Sequence, residues 1–239
     1  MEDFFRFPST PHLSWLNRNS QPREDKVLSP SDATALLKGE VAVEEKIDGA
    51  NIGISLANDG TLRVQNRGQF LTPPYVGQFT TLHQWLTQHE THIKDHLDPQ
   101  LILFGEWCAA KHSVSYERLP DWFLLFDVYD RETSQFWSST RRNALASAAR
   151  LATVPTLQRG TANMSELKHL LEEGLSCYGS ERMEGLIVRS ENSFWCESRA
   201  KLVRPDFIQP LDEHWSRRRI TWNKVEWSTG QFGANTVHL

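Results

Sequence analysis

At 239 residues the chain is long enough for one large domain or two small ones, and 39% hydrophobic with 10% aromatic residues is the composition of a soluble protein with a real core. Its 26 Lys and Arg against 30 Asp and Glu give a net charge of −4, which excludes an overall electrostatic footprint for nucleic acid and confines any such site to a local patch. Three scattered cysteines (Cys108, Cys177, Cys196) lack metal-ligand spacing and read as reduced thiols. With no apolar run of membrane-spanning length and no secretion signal in MEDFFRFPST, a cytoplasmic protein without a membrane partner is expected.

In chain order, NRNSQPRED (17–25) reads as a polar loop. SPSDATALLKG predicts a short helix with Ser29 as N-cap, Pro30 in the first turn and Gly39 as its stop. Residues 41–47, 50–57 and 61–67 predict a strand meander, turning at Asn58-Asp59-Gly60. A helix follows over 79–97, then strands over 101–107 and 122–129. Helices are predicted over 139–152 and 165–175, the second capped by Ser165. Residues 184–191 and 194–203 predict a hairpin across Asn192-Ser193, and a last helix is expected around 211–219. The sum is an α+β fold: antiparallel sheets with helices packed outside.

Several strand ends carry polar residues that packing does not require. In VAVEEKIDGANIGISL (41–56) a tight corner needs its glycine and tolerates Asp48, but has no use for Lys46. Arg67 closes the third strand of the meander, and Glu184 opens EGLIVR. Glu106 interrupts LILFGEW between Phe104 and Trp107, where a lone carboxylate is costly to bury. Arg199 and Lys201, two apart in a strand, project from one face. Singly, each reads as an ordinary solvated charge except Glu106, whose plainest structural explanation is a salt bridge to one of the basic residues.

Their order carries more than any one of them. EKIDGAN, NRGQF, LFGEW, DWFLLFDVYD, MEGLIVR and RAKLV, spanning about residues 41–204, resemble the successive motifs of the covalent nucleotidyltransferase superfamily of ligases and capping enzymes. Position 51 is Asn, as in RNA ligases, where DNA ligases and capping enzymes usually have Arg. GEWCAAKHSVSYERLPDWFLLFDVYDR is likewise similar to RNA ligases of the nick-sealing phage and RNA-editing type and to their compact bacterial relatives. The resemblance implies a nucleotidyltransferase (ATP-grasp-like ligase) fold, with a nucleotide pocket between antiparallel sheets flanked by helices. It implies an ATP-dependent RNA ligase using Mg2+ or Mn2+ and joining 5′-phosphate and 3′-hydroxyl RNA ends. Lys46 would take AMP from ATP as a phosphoramidate, pass it to the 5′-phosphate end, and the 3′-hydroxyl would then displace it.

By the same resemblance Lys46, Lys201, Glu184 and Arg67 are the catalytic set. Glu45, Asp48, Asn51, Glu106, Phe123 and Arg199 complete the nucleotide site, with Phe123 rather than Phe126 as the aromatic wall and Glu45 against the adenine. Glu184 and Asp48 are the candidate metal ligands, although editing-type enzymes often have His at the position of Asp48. A DNA ligase, a GTP-using capping enzyme and a non-catalytic nucleotide- or RNA-binding module of the same fold are the alternatives. Residues 1–239 are expected to form one nucleotidyltransferase domain, with an extension at 1–40, a tail at 206–239 and no separate OB or large C-terminal domain. Such a domain grips RNA with its own surface or depends on an end-processing or RNA-presenting partner. His89, His92 and His96 share a helical face that is expected to be solvated. Trp215, Arg218, Arg219 and Trp222 share another, suited to packing or to RNA stacking. Lys111 and His112 are candidate contacts for the RNA 5′-phosphate.

Overall fold

A computed structural model describes residues 4–17, 27–207 and 220–226. The chain runs α1 (Pro30–Leu36), β1 (Val41–Lys46), β2 (Ala50–Leu56), β3 (Leu62–Gln65), β4 (Phe70–Leu71), a short 3-10 turn (Gly77–Phe79), α2 (Leu82–His96), β5 (Leu101–Trp107), β6 (Phe123–Asp130), β7 (Gln135–Phe136), α3 (Ser139–Ala148), β8 (Ala152–Thr153), β9 (Thr156–Gly160), α4 (Met164–Glu173), β10 (Gly185–Glu191) and β11 (Cys196–Val203). The expected helix at 211–219 and most of the expected loop at 17–25 lie outside the described residues.

Two sheets make the frame. One has the order β11-β10-β1-β9; the other runs β4-β3-β2-β5-β6-β7, with β8 joined in parallel to β6. The α+β class is as expected, but the meander is not. β1 and β2 belong to different sheets, so residues 47–49 cross between sheets rather than turn a hairpin. Alternation marks both segments as strands and is silent about which strand each pairs with. On its outer face the second sheet packs Ile52, Trp107 and Phe123 against Trp85 and Ile93 of α2 and Ala146 of α3. The first sheet packs Val43, Leu186 and Leu202 against Leu36 of α1 and Leu167 of α4. The inner faces are left to line a cleft.

Helix ends explain three boundary differences. In α1 the Ser29 hydroxyl accepts from the Asp32 N–H at 3.1 Å as predicted, but the helix closes at Leu36, before Gly39. α4 is capped by Asn163, whose side chain accepts from the Ser165 and Glu166 N–H groups while Glu166 accepts from the Asn163 N–H. That reciprocal box places Ser165 inside the first turn, not at the cap. α3 stops at Ala148 because Arg150 takes φ 54°, with bonds from Leu151 N to Ala146 O and from Arg150 N to Ser147 O. This left-handed closure ends a pattern that reads as helical through 152, and it frees residues 152–153 to join the sheet.

The face of α2 that packs inward is Leu82, Trp85, His89 and Ile93, so His89 is buried, not solvated. Its Nε2 lies 3.2 Å from Asp121 Oδ2, and the Trp85 indole donates to Asp121 Oδ1 at 2.7 Å. A buried imidazole is tolerated where its polar atoms are met in this way.

A charged network bridges the two sheets beneath the cleft. Arg142 of α3 meets Glu44 of β1 at 2.6 Å; Arg189 of β10 meets Asp127 of β6 at 2.8 Å and also Glu191; Arg199 of β11 meets Asp127 at 2.9 Å. Residues 4–17 strap both sheets as well. Phe5 stacks on Tyr129 with ring centroids 3.7 Å apart, while Leu13 N donates to Lys201 O and Lys201 N to Pro11 O at the outer edge of β11. Among the described residues no helix is long and apolar enough to cross a membrane, and all three cysteines are free.

Candidate active site

The crossing between sheets creates the site. A Cβ on Gly49 would lie 2.6 Å from Trp107 O and 3.0 Å from Cγ of Glu106, so only glycine lets the crossing press against β5. Lys46, the last residue of β1, is thereby brought beside Glu106 of β5 and Glu184 just before β10. The three line one cleft of about 1430 Å³ with Asp48, Asn51, Arg67, Phe126, Ile187 and Lys201.

Lys46 Nζ donates to Glu184 Oε2 at 2.6 Å. Burial pushes the Lys46 amine down, but the charges of Glu184, Glu106 and Asp48 outweigh it and leave its pKa above the ordinary 10.5. The two glutamates move the other way. Burial lifts Glu106 and Glu184 to about 7 each, against the pull of Lys46 on both, of Arg67 on Glu106 and of Lys201 on Glu184. A carboxyl whose folded pKa stands above its ordinary 4.5 favours the fold while protonated. That contribution is complete below about 4.5 and is lost as pH rises through about 7. The unliganded chain is therefore expected to melt lower at pH about 8 than at about 5.5, and Glu106→Gln to melt with a flatter dependence. Thermal melts of both across that window check this; equal slopes would reject it.

Two acceptors lining the cleft, Oε1 of Glu45 and Oδ1 of Asn51, are buried with no hydrogen-bond partner among the described residues. Buried polar atoms are rarely left so, and these fit a ligand that brings N–H or O–H donors, as a nucleoside does. The other Glu45 oxygen accepts from the Cys177 N–H at 2.9 Å. With the cations of Arg67 and Lys201 lining the same cleft as these acceptors, the residues present fit a nucleoside triphosphate. Among the described residues no three His, Cys, Asp or Glu side chains form a metal cage. Glu106 and Glu184, each raised in part by the charge of nearby Asp48 and set beside one ammonium, still suit a hard cation that shares its coordination with phosphate.

Of the other candidates, Arg67 sits exposed in a turn closed by Asn66 Oδ1, which accepts from the Gly68 and Gln69 N–H groups. Asp48 has a task the sequence did not reveal: its Oδ2 accepts from the Ser113 and Val114 N–H groups at 2.6 and 2.9 Å. Arg199 reaches the cleft but is held by Asp127 and lies over the Phe136 ring at 4.0 Å. Phe123 is not an aromatic wall of the cleft. It is fully buried on the outer face of β6, over Gly105 and against Trp85, whereas Phe126 lines the cleft. Lys111 is paired with Glu181 at 3.0 Å and His112 Nε2 lies 2.7 Å from Gln78 Oε1; neither lines the cleft. Phe7, His12 and Trp15 do, from the N-terminal strap. The aromatic run FFRF was the sequence signal for that strap, and nothing in it indicated the cleft.

Lys46, clasped by Glu184 where the chain crosses between the two sheets, shares its cleft with Arg67 from the turn after β3 and Lys201 of β11. Solved structures share the fold. The chain aligns with a mutant Naegleria gruberi RNA ligase with ATP and Mn at a TM-score of 0.58 and 19% identity, over 82% of this chain and 57% of that one. The Naegleria gruberi RNA ligase with PPi gives 0.59 and 19%, over 83% and 61%. An archaeal ATP-dependent RNA ligase gives 0.54 and 20%, over 82% and 47%. The chain thus spans about half the length of the solved ligases it matches. No curated protein matches it. The profile of the RNA ligase family matches residues 39–203, and the chain belongs to that family.

Proposed function

We propose that the chain is an ATP-dependent RNA ligase that joins 5′-phosphate and 3′-hydroxyl ends through a lysyl-AMP intermediate. The observation that carries this reading is Lys46 held by Glu184 inside a cleft also lined by Glu106, Arg67 and Lys201. The family and the related ligases solved with ATP and Mn support it.

Lys46 must first give up its proton; the free amine then bonds to the α-phosphorus as the bond to the pyrophosphate oxygen breaks. Arg67 and Lys201 neutralise charge on the phosphate oxygens, and Glu106 accepts from ribose hydroxyls. A divalent cation, when bound, neutralises phosphate charge, and Glu184 would hold it. In the second step an oxygen of the RNA 5′-phosphate takes the AMP and Lys46 leaves as the amine. In the third the RNA 3′-hydroxyl loses its proton, attacks the activated 5′-phosphate, and AMP leaves.

Incubation with α-labelled ATP or GTP and Mg2+ or Mn2+, followed by denaturing electrophoresis and by sealing of nicked RNA or DNA, tests the proposal. Labelling by ATP and sealing of RNA are expected, with loss of sealing in Glu184→Ala and Lys201→Ala. Labelling by GTP alone would make it a capping-type enzyme, sealing of DNA alone a DNA ligase, and no label at all a binding module.

Phe126→Ala is expected to weaken ATP binding about 10-fold, the worth of one base stacked on a ring. Phe123→Leu should lower the melting temperature and leave ATP affinity unchanged; equilibrium titration separates the two. RNA binding is expected to weaken steeply with salt, as contacts to phosphate release counterions. We further propose a cytoplasmic location, with RNA gripped by the chain's own surface or brought by an end-processing or RNA-presenting partner.

A further inference from the structure

We propose that Asn223 is a positioning residue for Lys46, acting through Tyr116 and Asp48. The inference rests on the reading of Lys46 as the nucleophile and adds to it a residue far from every recognised motif.

Residues 220–226 lie along the segment that follows β5. Lys111 N donates to Thr221 O, Asn223 N to Ala109 O, Lys224 N to Tyr116 O, Leu119 N to Lys224 O and Glu226 N to Leu119 O, all at 2.8 to 3.0 Å. At the centre the Asn223 side chain, in a residue 4% exposed, closes a loop upon itself. Its Oδ1 accepts from Tyr116 N at 2.9 Å, and its Nδ2 donates to Cys108 O at 2.8 Å and Ala110 O at 3.3 Å. One planar amide supplies an acceptor and two donors, which no other side chain of that size offers. An aspartate there would set a carboxylate against two carbonyl oxygens.

The loop that Asn223 closes reaches Asp48, two residues from the nucleophile. Tyr116, 1% exposed, accepts the Asp48 N–H on its hydroxyl at 2.7 Å, and Asp48 Oδ2 accepts from Ser113 and Val114 N. Three bonds thus hold Asp48, two residues from Lys46, against residues 113–116. The same loop begins two residues after Glu106, so the amide sets two walls of the cleft relative to each other. These groups are buried, and water cannot stand in for a lost partner without entering the core. A displacement of about 1 Å at a reacting atom can cost about 100-fold in rate.

The test uses the full chain with Asn223→Leu, Tyr116→Phe, the double variant, and Asn163→Ala, which loses the cap of α4 far from the cleft. The rate of lysyl-AMP formation at saturating ATP and the ATP dissociation constant are measured separately. Asn223→Leu and Tyr116→Phe should each slow adduct formation about 10- to 100-fold with ATP affinity within about 2-fold of wild type. The double variant should be no more than about 3-fold slower than the slower single, since the two act along one path. Asn163→Ala should react at the wild-type rate. If Asn223→Leu does not fold, Tyr116→Phe, which removes one hydroxyl, decides alone. Wild-type rate in Tyr116→Phe, multiplicative losses in the double, or a parallel loss of ATP affinity overturns the inference. A wild type that forms no adduct overturns the reading of Lys46 and this inference with it, an outcome distinct from a labelled wild type beside an equally labelled Tyr116→Phe.

Discussion

Lys46→Ala is expected to form no covalent adduct with ATP, whatever the metal or the length of incubation. The cleft's other cations do not replace it. Lys201 is on β11 and Arg67 is on a turn beyond β3, while Lys46 stands at the sheet crossing, clasped by Glu184. Lys46→Arg should fail equally, because a guanidinium does not lose its proton in this pH range. The wild-type reaction should also quicken as pH rises. With its pKa held above the ordinary value by Glu184, Glu106 and Asp48, the amine is an ammonium in the unliganded cleft, and only its free form attacks. Denaturing electrophoresis after labelling, followed by peptide mapping, checks the site; a labelled Lys46→Ala protein would remove Lys46 from its role. Folding should survive the substitution, since Glu106 and Glu184, already at about 7, can take up protons when their cation is gone.

The largest stability effect is expected at Arg189→Met. This arginine is 1% exposed and faces Asp127, Glu191 and, at 3.9 Å, Glu44. Burial alone would lower its pKa, yet the surrounding carboxylates hold it well above the usual arginine value. Removing the cation leaves the buried Glu44 and Asp127 and the half-buried Glu191 with less compensation, and breaking a buried ion pair in this way costs about 3–5 kcal/mol. Activity should fall with stability, because Asp127 of one sheet is joined through Arg189 and Arg199 to the other, and the cleft is lined from both. Arg189→Met with Asp127→Asn should recover part of the loss, since both charges then leave together. Urea unfolding of the three proteins measures this; a change under about 1 kcal/mol in Arg189→Met would show that the network carries little of the fold's stability.

Much of the site was legible in the sequence, for identifiable reasons. Lys46, Glu106, Glu184 and Lys201 are charged residues in or beside apolar strands and Arg67 stands on the turn after β3, and one cleft is lined by all five. What failed was the choice between residues of one chemistry. Phe123 and Phe126 are three apart on one strand and face opposite ways. A register shift between Phe104 and Gly105 on the neighbouring β5 accompanies the arrangement that turns Phe126 inward. Asp48 read as a ligand by resemblance, and nothing in the sequence signalled that its Oδ2 also accepts from the Ser113 and Val114 N–H groups. His89 read as solvated because its acid partner, Asp121, lies 32 residues away in a loop that carries no periodicity.

By itself the sequence determined the elements, the amphipathic faces and the set of reactive side chains, because periodicity, caps and residue type act within a few positions. Only the tertiary structure decided that β1 and β2 part into separate sheets, that Lys46 meets Glu184 across 138 positions, and that Asn223 reaches back 115 positions to Cys108. The physical reason is one of range. A buried charge or amide must be met by a partner, and that partner is chosen by where two sheets pack, a distance no local pattern encodes.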